Sequence, residues 1–195
     1  ERSLHPGVVH TPYLINLASP DEGIYRKSLQ AFATDLGRAR SLGARMFVTH
    51  VGFHRGEGFR AGLERMANAL GEALSRSGET GVEVLLENTA SAGSSLGHRF
   101  EFIAEIMGLS GVADRLYLCL DTCHAFVSGY DVGSAVGLDR TLSEIDRFFG
   151  LDRLRLVHFN DSKYGLGSHR DRHEHIGEGE IGLEGFRFLM NDPRL

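Results

Sequence analysis

Cysteine is scarce in this chain: Cys119 and Cys123 are the two in 195 residues. They lie four apart where a strand runs into a turn, so they read as reduced thiols of an intracellular protein and not as a disulfide framework, with metal binding the weaker use. Proline is sparse as well, at four residues, and there is no linker or low-complexity stretch. That excludes a disordered or fibrous chain. No apolar run approaches the ~20 residues a membrane helix needs, and Glu1-Arg2-Ser3 opens no signal peptide, so the sequence reads as soluble and cytoplasmic with no membrane partner. An excess of basic residues is also missing. A net charge of −5 argues against holding nucleic acid by blanket phosphate neutralisation. Bound divalent metal can still reverse the sign within a cleft.

What is present is a globular composition, 42% hydrophobic and 24% charged. A chain of this length buries about 70% of the surface its unfolded form exposes, which suits a single domain over 1–195. Position 1 is not Met, and the sequence stops at Asp192-Pro193-Arg194-Leu195 just after a helical pattern, so it reads as a fragment.

Short β-branched or aliphatic runs alternate with amphipathic segments, the pattern of β/α units. The runs are 8–10, 46–50, 82–87, 116–121 and 154–159, nearly all apolar, as in parallel strands covered on both faces. Ser19-Pro20-Asp21-Glu22 offers an N-cap with proline at the first helical position, ahead of Leu29, Phe32, Leu36 and Ala39, and Gly43 can close that helix. Phe59, Leu63, Met66, Leu70 and Leu74 share one face of a second helix, which Gly78 follows. Phe102, Ile103, Ile106 and Met107 mark a third. Thr141-x-x-Glu144 predicts the start of another, and a last one surrounds 184–190.

Every strand ends on a metal-ligand type: His10, His50, Glu87, Asp121 and His158, spaced by 40, 37, 34 and 37 residues. Repeated units of that length fit a (β/α)8 TIM barrel, whose active site is built from the C-terminal strand ends. Five strands leave about three outside this chain, so the expected fold is a barrel fragment lacking the first strands and the last strand. A doubly wound sheet is the rival, but it does not converge five successive strand ends on one centre.

Taken singly, each histidine is as readily an ordinary core or surface residue as a ligand. Together the His, Glu and Asp types without thiolate point to Zn²⁺, with Mn²⁺ the alternative. His124, in the turn after Asp121, and the pair Asp171 and His173, which point the same way in an extended segment, bring the candidates to eight. Eight ligands are too many for one ion and imply two or three, an arrangement that clamps a phosphoryl group while a water attacks it in line.

These residues sit in His10-Thr11-Pro12-Tyr13-Leu14-Ile15-Asn16-Leu17, Leu86-Glu87-Asn88-Thr89-Ala90, Cys119-Leu120-Asp121-Thr122-Cys123-His124-Ala125-Phe126, His158-Phe159-Asn160-Asp161-Ser162-Lys163 and Asp171-Arg172-His173 running into His175-Ile176-Gly177-Glu178-Gly179. In these motifs, and over essentially all 195 residues, the chain resembles the endonuclease IV family of zinc-dependent apurinic/apyrimidinic (AP) endonucleases. The resemblance implies a (β/α)8 barrel with three zinc ions. His10 and His50 would serve the first ion, with Glu87 bridging it to the second and acting in catalysis. Asp121 and His158 would serve the second ion, and His124, Asp171 and His173 the third. The family's final-strand Glu has no counterpart in these residues. Tyr13 and Leu14 match residues that insert into DNA at the lesion. The implied activity is incision of double-stranded DNA 5′ to abasic sites, leaving a 3′-hydroxyl and a 5′-deoxyribose phosphate, with trimming of 3′-blocked ends, by a monomer.

One motif departs from the family: His50-Val51-Gly52-Phe53-His54 stands where His-Pro-Gly-Ser-His is usual. That changes the loop's stiffness and polarity and leaves His54 to orient a ligand from behind. His5, His98 and His169 read as surface histidines, the glycine-rich 91–97 as a βα turn without the P-loop ending, and Gly177-Glu178-Gly179 as a turn. Two other readings fit parts of the pattern. One is a sugar isomerase or epimerase of the related barrels, which hold fewer ions, and the other is a lesion-binding module without catalysis.

Overall fold

The computed structural model describes residues 7–77 and 81–195, so the expectations for His5 and Gly78 lie outside the described residues. Strands β1 (Val8–His10), β2 (Met46–His50), β3 (Glu83–Glu87), β4 (Leu116–Asp121) and β5 (Leu154–His158) form one sheet in chain order, each parallel to the next. Between and after them run α1 (Glu22–Ser41), α2 (Phe59–Ser77), α3 (Phe100–Leu109), α4 (Thr122–Val127), α5 (Ala135–Phe149) and α6 (Gly182–Asn191). The strand limits match the hydrophobic runs, except that Val82 and Phe159 fall just outside.

Side chains alternate across a strand, and that period sorts each one between two cores. Phe47, Val84, Leu86, Leu118 and Leu120 face outward and pack with Phe32, Leu36, Met66, Ile103, Leu142 and Ile145 of the helices. Val48, Leu85 and Cys119 face inward, with Met46, Tyr117 and Leu156 around them. Two residues further along the inward face come His50, Glu87, Asp121 and His158. His10 belongs to the same face, because Val9 beside it packs on the outer core. A register shift at Leu118/Cys119 brings Asp121 level with His158, as Glu87 is level with His50. Bulges of this kind re-aim side chains beside active sites.

Two helix starts differ from the sequence reading. Asp21, not Ser19, caps α1 by accepting from the Ile24 N–H, while the Ser19 hydroxyl accepts from the Asp21 N–H. Pro20 therefore precedes the cap. Helix α5 begins at Ala135 under Ser134, which accepts from the Gly137 N–H. Thr141 is consequently buried in mid-helix, and its hydroxyl donates to the Gly137 carbonyl. Gly43 does close α1, with a φ of 73° that favours glycine. The turn expected after β4 is α4, capped by Asp121 itself. An unforeseen antiparallel pair, β6 (Asp161–Ser162) and β7 (His173–Glu174), follows β5. Among the described residues no helix is long and apolar enough to cross a membrane.

Candidate metal centre

Glu87, 2% exposed, is the centre of the site. His10 Nε2 donates to its Oε2 at 2.7 Å and His158 Nδ1 to its Oε1 at 3.0 Å, with His50 Nδ1 3.7 Å and His124 Nδ1 3.8 Å away. Burial pushes this carboxyl up, but the imidazoles outweigh it and hold Glu87 well below the usual carboxylate range. The bond to Glu87 raises His10, whereas burial lowers His50.

The second focus is His124, whose Nε2 lies 3.4 Å from Asp171 Oδ2 and 3.3 Å from His173 Nε2. Burial opposes its charge, yet the bond to Asp171 and the nearby Asp121 and Glu87 raise it to about 9. The same bond lowers Asp171. His173 Nε2 stands 3.5 Å from Asp171 Oδ1, so this pair faces one way, as an extended i, i+2 pair should.

All eight candidate ligands are thus brought together. Donor atoms of His10, His50 and Glu87 lie within 4.8 Å of one another, as do those of Glu87, Asp121 and His124, and of His124, Asp171 and His173. His158 groups with Glu87 through Cys119, and Asp121 with His173 through Cys123. Burial, with Glu87 and Asp121 nearby, pushes the Cys119 thiol far up, and burial takes Cys123 to about 12. Neither thiol is activated by its surroundings, as a reactive cysteine would be.

Several residues behind the ligands lie within the quoted motifs but had no role assigned to them from sequence. His10 Nδ1 donates to the Thr11 carbonyl at 2.8 Å and His124 Nδ1 to the Asn88 carbonyl at 2.9 Å, which leaves each Nε2 facing the cluster. The Asn88 amide clamps the Asp121 backbone, donating to its carbonyl at 3.1 Å and accepting from its N–H at 2.7 Å. Asn160 Nδ2 donates to Asp121 Oδ2 at 2.6 Å. Asp161, fully buried, accepts backbone N–H bonds from Gly177, Gly179, Ile181 and Gly182, tying the 177–182 turn beneath the β6–β7 pair. The one further signal was position: Thr11 and Asn88 directly follow apolar strands, and Asn160 and Asp161 lie just beyond a third.

Tyr13 and Leu14 stand on the rim, 71% and 91% exposed, with the Tyr13 ring 5.5 Å from that of His50. They take no part in the core. The cluster opens into a cleft of about 400 Å3 that Tyr13, Asn160 and Arg172 also line. Tyr13 and Leu14 also border a larger trough of about 670 Å3, which Lys27, Phe53, Arg55 and Ser94 help to line.

Other expectations need correction. His54 orients no ligand: its Nδ1 accepts from the Gly56 N–H, and its ring lies edge-on to Phe59. His98 is only half exposed, packed edge-on against Phe59 and Phe102, while His169 is exposed.

A family model described as xylose isomerase-like TIM barrel matches residues 3–195. A protein named "Probable endonuclease 4" from Chloroflexus aurantiacus is 47% identical over 191 residues, 98% of this chain and 67% of that protein. One of the same name from Methanoculleus marisnigri is 48% identical over 188 residues, 96% of this chain and 67% of that protein. Among solved structures, endonuclease IV from Thermus thermophilus aligns with a TM-score of 0.84 at 40% identity, covering 97% of this chain and 65% of that one. A D-tagatose 3-epimerase-like protein, TM-score 0.73 at 23% identity over 94% and 65% of the two chains, shares the fold. The chain spans about two thirds of the length of these relatives. A match over nearly the whole chain, at this identity to the named relatives, means that the chain belongs to the endonuclease IV family of xylose isomerase-like TIM barrels.

Proposed function

We propose that the protein is a zinc-dependent DNA repair endonuclease that hydrolyses the phosphodiester 5′ to an abasic site in duplex DNA. The products are a 3′-hydroxyl and a 5′-deoxyribose phosphate, and the same site trims 3′-blocked ends. The observation that carries this reading is the gathering of eight His, Glu and Asp residues about two foci, Glu87 and His124, beneath two exposed apolar residues at the mouth of an open cleft.

The donor set suits zinc, being imidazole and carboxylate. His10 and His50 with Glu87 would hold one ion, Glu87 with Asp121 and His158 a second, and His124 with Asp171 and His173 a third. Bound divalent ions supply Lewis acidity toward phosphoryl oxygens and bring the pKa of a water toward neutrality. The protein's own residues do the rest. Glu87, charged, buried and bonded to two imidazoles, fixes the spacing of the histidines. Thr11 and Asn88 carbonyls set which imidazole nitrogen faces the cleft. Tyr13 and Leu14 wedge into the duplex and offset the unstacking that exposing a lesion costs, a few kcal/mol per step.

The test is a denaturing gel and a native gel run on zinc-loaded full-length protein with a duplex carrying one abasic site. A single cut 5′ to the lesion is expected. A shift without cutting would make the protein a lesion-binding module, and neither result would overturn the reading in favour of a sugar isomerase or epimerase.

A further inference from the structure

The loop that presents Tyr13 and Leu14 is fastened at Asn16. The buried Asn16 amide donates from Nδ2 to the Phe53 carbonyl at 2.9 Å and accepts at Oδ1 from the Phe53 N–H at 3.0 Å and the Ala18 N–H at 3.2 Å. Its backbone N–H donates to the Ser28 hydroxyl at 3.0 Å. The side chain thereby pairs with both backbone groups of Phe53, as a neighbouring strand would. Gly52 makes room for it: its φ is 81°, and a Cβ there would come within 2.5 Å of Asn16 Oδ1. The loop after β2 is fixed in turn, since Phe53 bridges Ser95, Leu96 donates to the Gly52 carbonyl and His54 to that of Ser94. Three successive strand-end loops are thus tied in a row, and the first carries two side chains with no core to hold them.

We propose that Asn16 is a positioning residue for DNA recognition, latching the Tyr13–Leu14 loop to the loop after His50 so that both side chains are held out before substrate arrives. This rests on the reading of Tyr13 and Leu14 as DNA contacts. A loop ordered only on binding loses conformational freedom at that moment, and a latched loop has already lost it. The latch also accounts for the glycine in His50-Val51-Gly52-Phe53-His54, since any side chain at Gly52 would displace the amide.

A double-mutant cycle tests the latch on zinc-loaded full-length protein, using anisotropy with an abasic duplex made non-hydrolysable by a phosphonate 5′ to the lesion. Asn16→Ala and Tyr13→Ala are each expected to weaken binding by about tenfold, with zinc content unchanged and the double variant little weaker than either single one. A partial loss in Asn16→Asp, which keeps both acceptor contacts, is expected alongside. Strictly additive losses, or wild-type binding by Asn16→Ala, would overturn the latch. Should Asn16→Ala not fold, Gly52→Ala takes its place in the cycle, and the same two outcomes decide. Wild-type binding by Tyr13→Ala, with incision by the parent intact, would remove the wedge and the latch with it while leaving the nuclease reading standing.

Discussion

Glu87 stays ionised although it is buried, because two imidazoles donate to it directly and two more stand within 4 Å. A carboxylate so placed fixes the spacing of every histidine that touches it, and as a bridge it would be shared by two ions. Glu87→Gln keeps the size and removes the charge. It is expected to lower incision by well over a hundredfold, on the order of what loss of a site-organising group costs, while circular dichroism and melting still report a folded protein. Near-normal incision by a folded variant would take Glu87 out of the mechanism. Five of the eight ligand-type residues could be read from the sequence because a His, Asp or Glu closing an apolar run contradicts the run, and His124, Asp171 and His173 from their spacing in the segments after those strands. Asn88, Asn160 and Asn16 could not, since an amide after a strand is as ordinary in a turn as in a site. Their roles depend on partners 33 to 39 residues away in the chain.

Asp161 works on a larger unit, the β6–β7 pair and the turn beneath it. Its carboxylate collects four loop N–H groups, and β6 holds β7, which carries His173, through the Ser162↔His173 pairing. A Cβ at Gly179 would come within 2.5 Å of Asp161 Oδ1, so the turn approaches as closely as glycine permits. Asp161→Ala strands those donors at about 1–3 kcal/mol each where water cannot reach them, and a total loss near 3 kcal/mol is expected once the exposed part of the turn re-solvates. Urea denaturation and elemental analysis of the purified variant would read this. The outcome expected is a lower midpoint and one zinc fewer per chain, and wild-type values for both would end the argument. Chelation should act on the same unit, since ligand release removes binding free energy from the folded state. Hydrogen exchange is expected to rise first in 161–182, and uniform acceleration across the sheet would contradict it. Elements of this size were hidden in the sequence for a physical reason: two-residue strands and the six-residue α4 are too short for a hydrophobic period to repeat enough to be read. Helices α1 and α5 were visible from their apolar faces, but each has several candidate caps, and the tertiary contacts chose among them.

At the scale of the whole molecule, one periodicity links fold to chemistry. Parallel βα units place consecutive strands side by side, and a period of two sends every second side chain inward. The last inward position of five strands therefore falls on one ring, which is why strand-end residues spaced 34 to 40 apart in the sequence meet in space. The same arithmetic constrains DNA binding, because a chain of net charge −5 has few cations to set against phosphates. Lys27 and Arg55 border the trough beside Tyr13 and Leu14, both are exposed, and among the described residues neither makes an ion pair. Arg172 lines the cleft on the other side. Divalent ions in the cluster would shift the local sign further toward attraction. Binding should accordingly lean on a small set of phosphate contacts, each releasing about 0.9 counterion equivalents from duplex DNA. For the zinc-loaded protein, affinity for an abasic duplex measured across a salt series is expected to fall with a log–log slope of about −3, far shallower than a strongly basic binder shows. Lys27→Ala and Arg55→Ala are each expected to flatten that slope by about one and to weaken lesion-bearing and intact duplexes equally, as contacts to phosphate do. A variant that lost affinity for the abasic duplex alone, with its salt slope unchanged, would assign that residue to the lesion and not to the backbone.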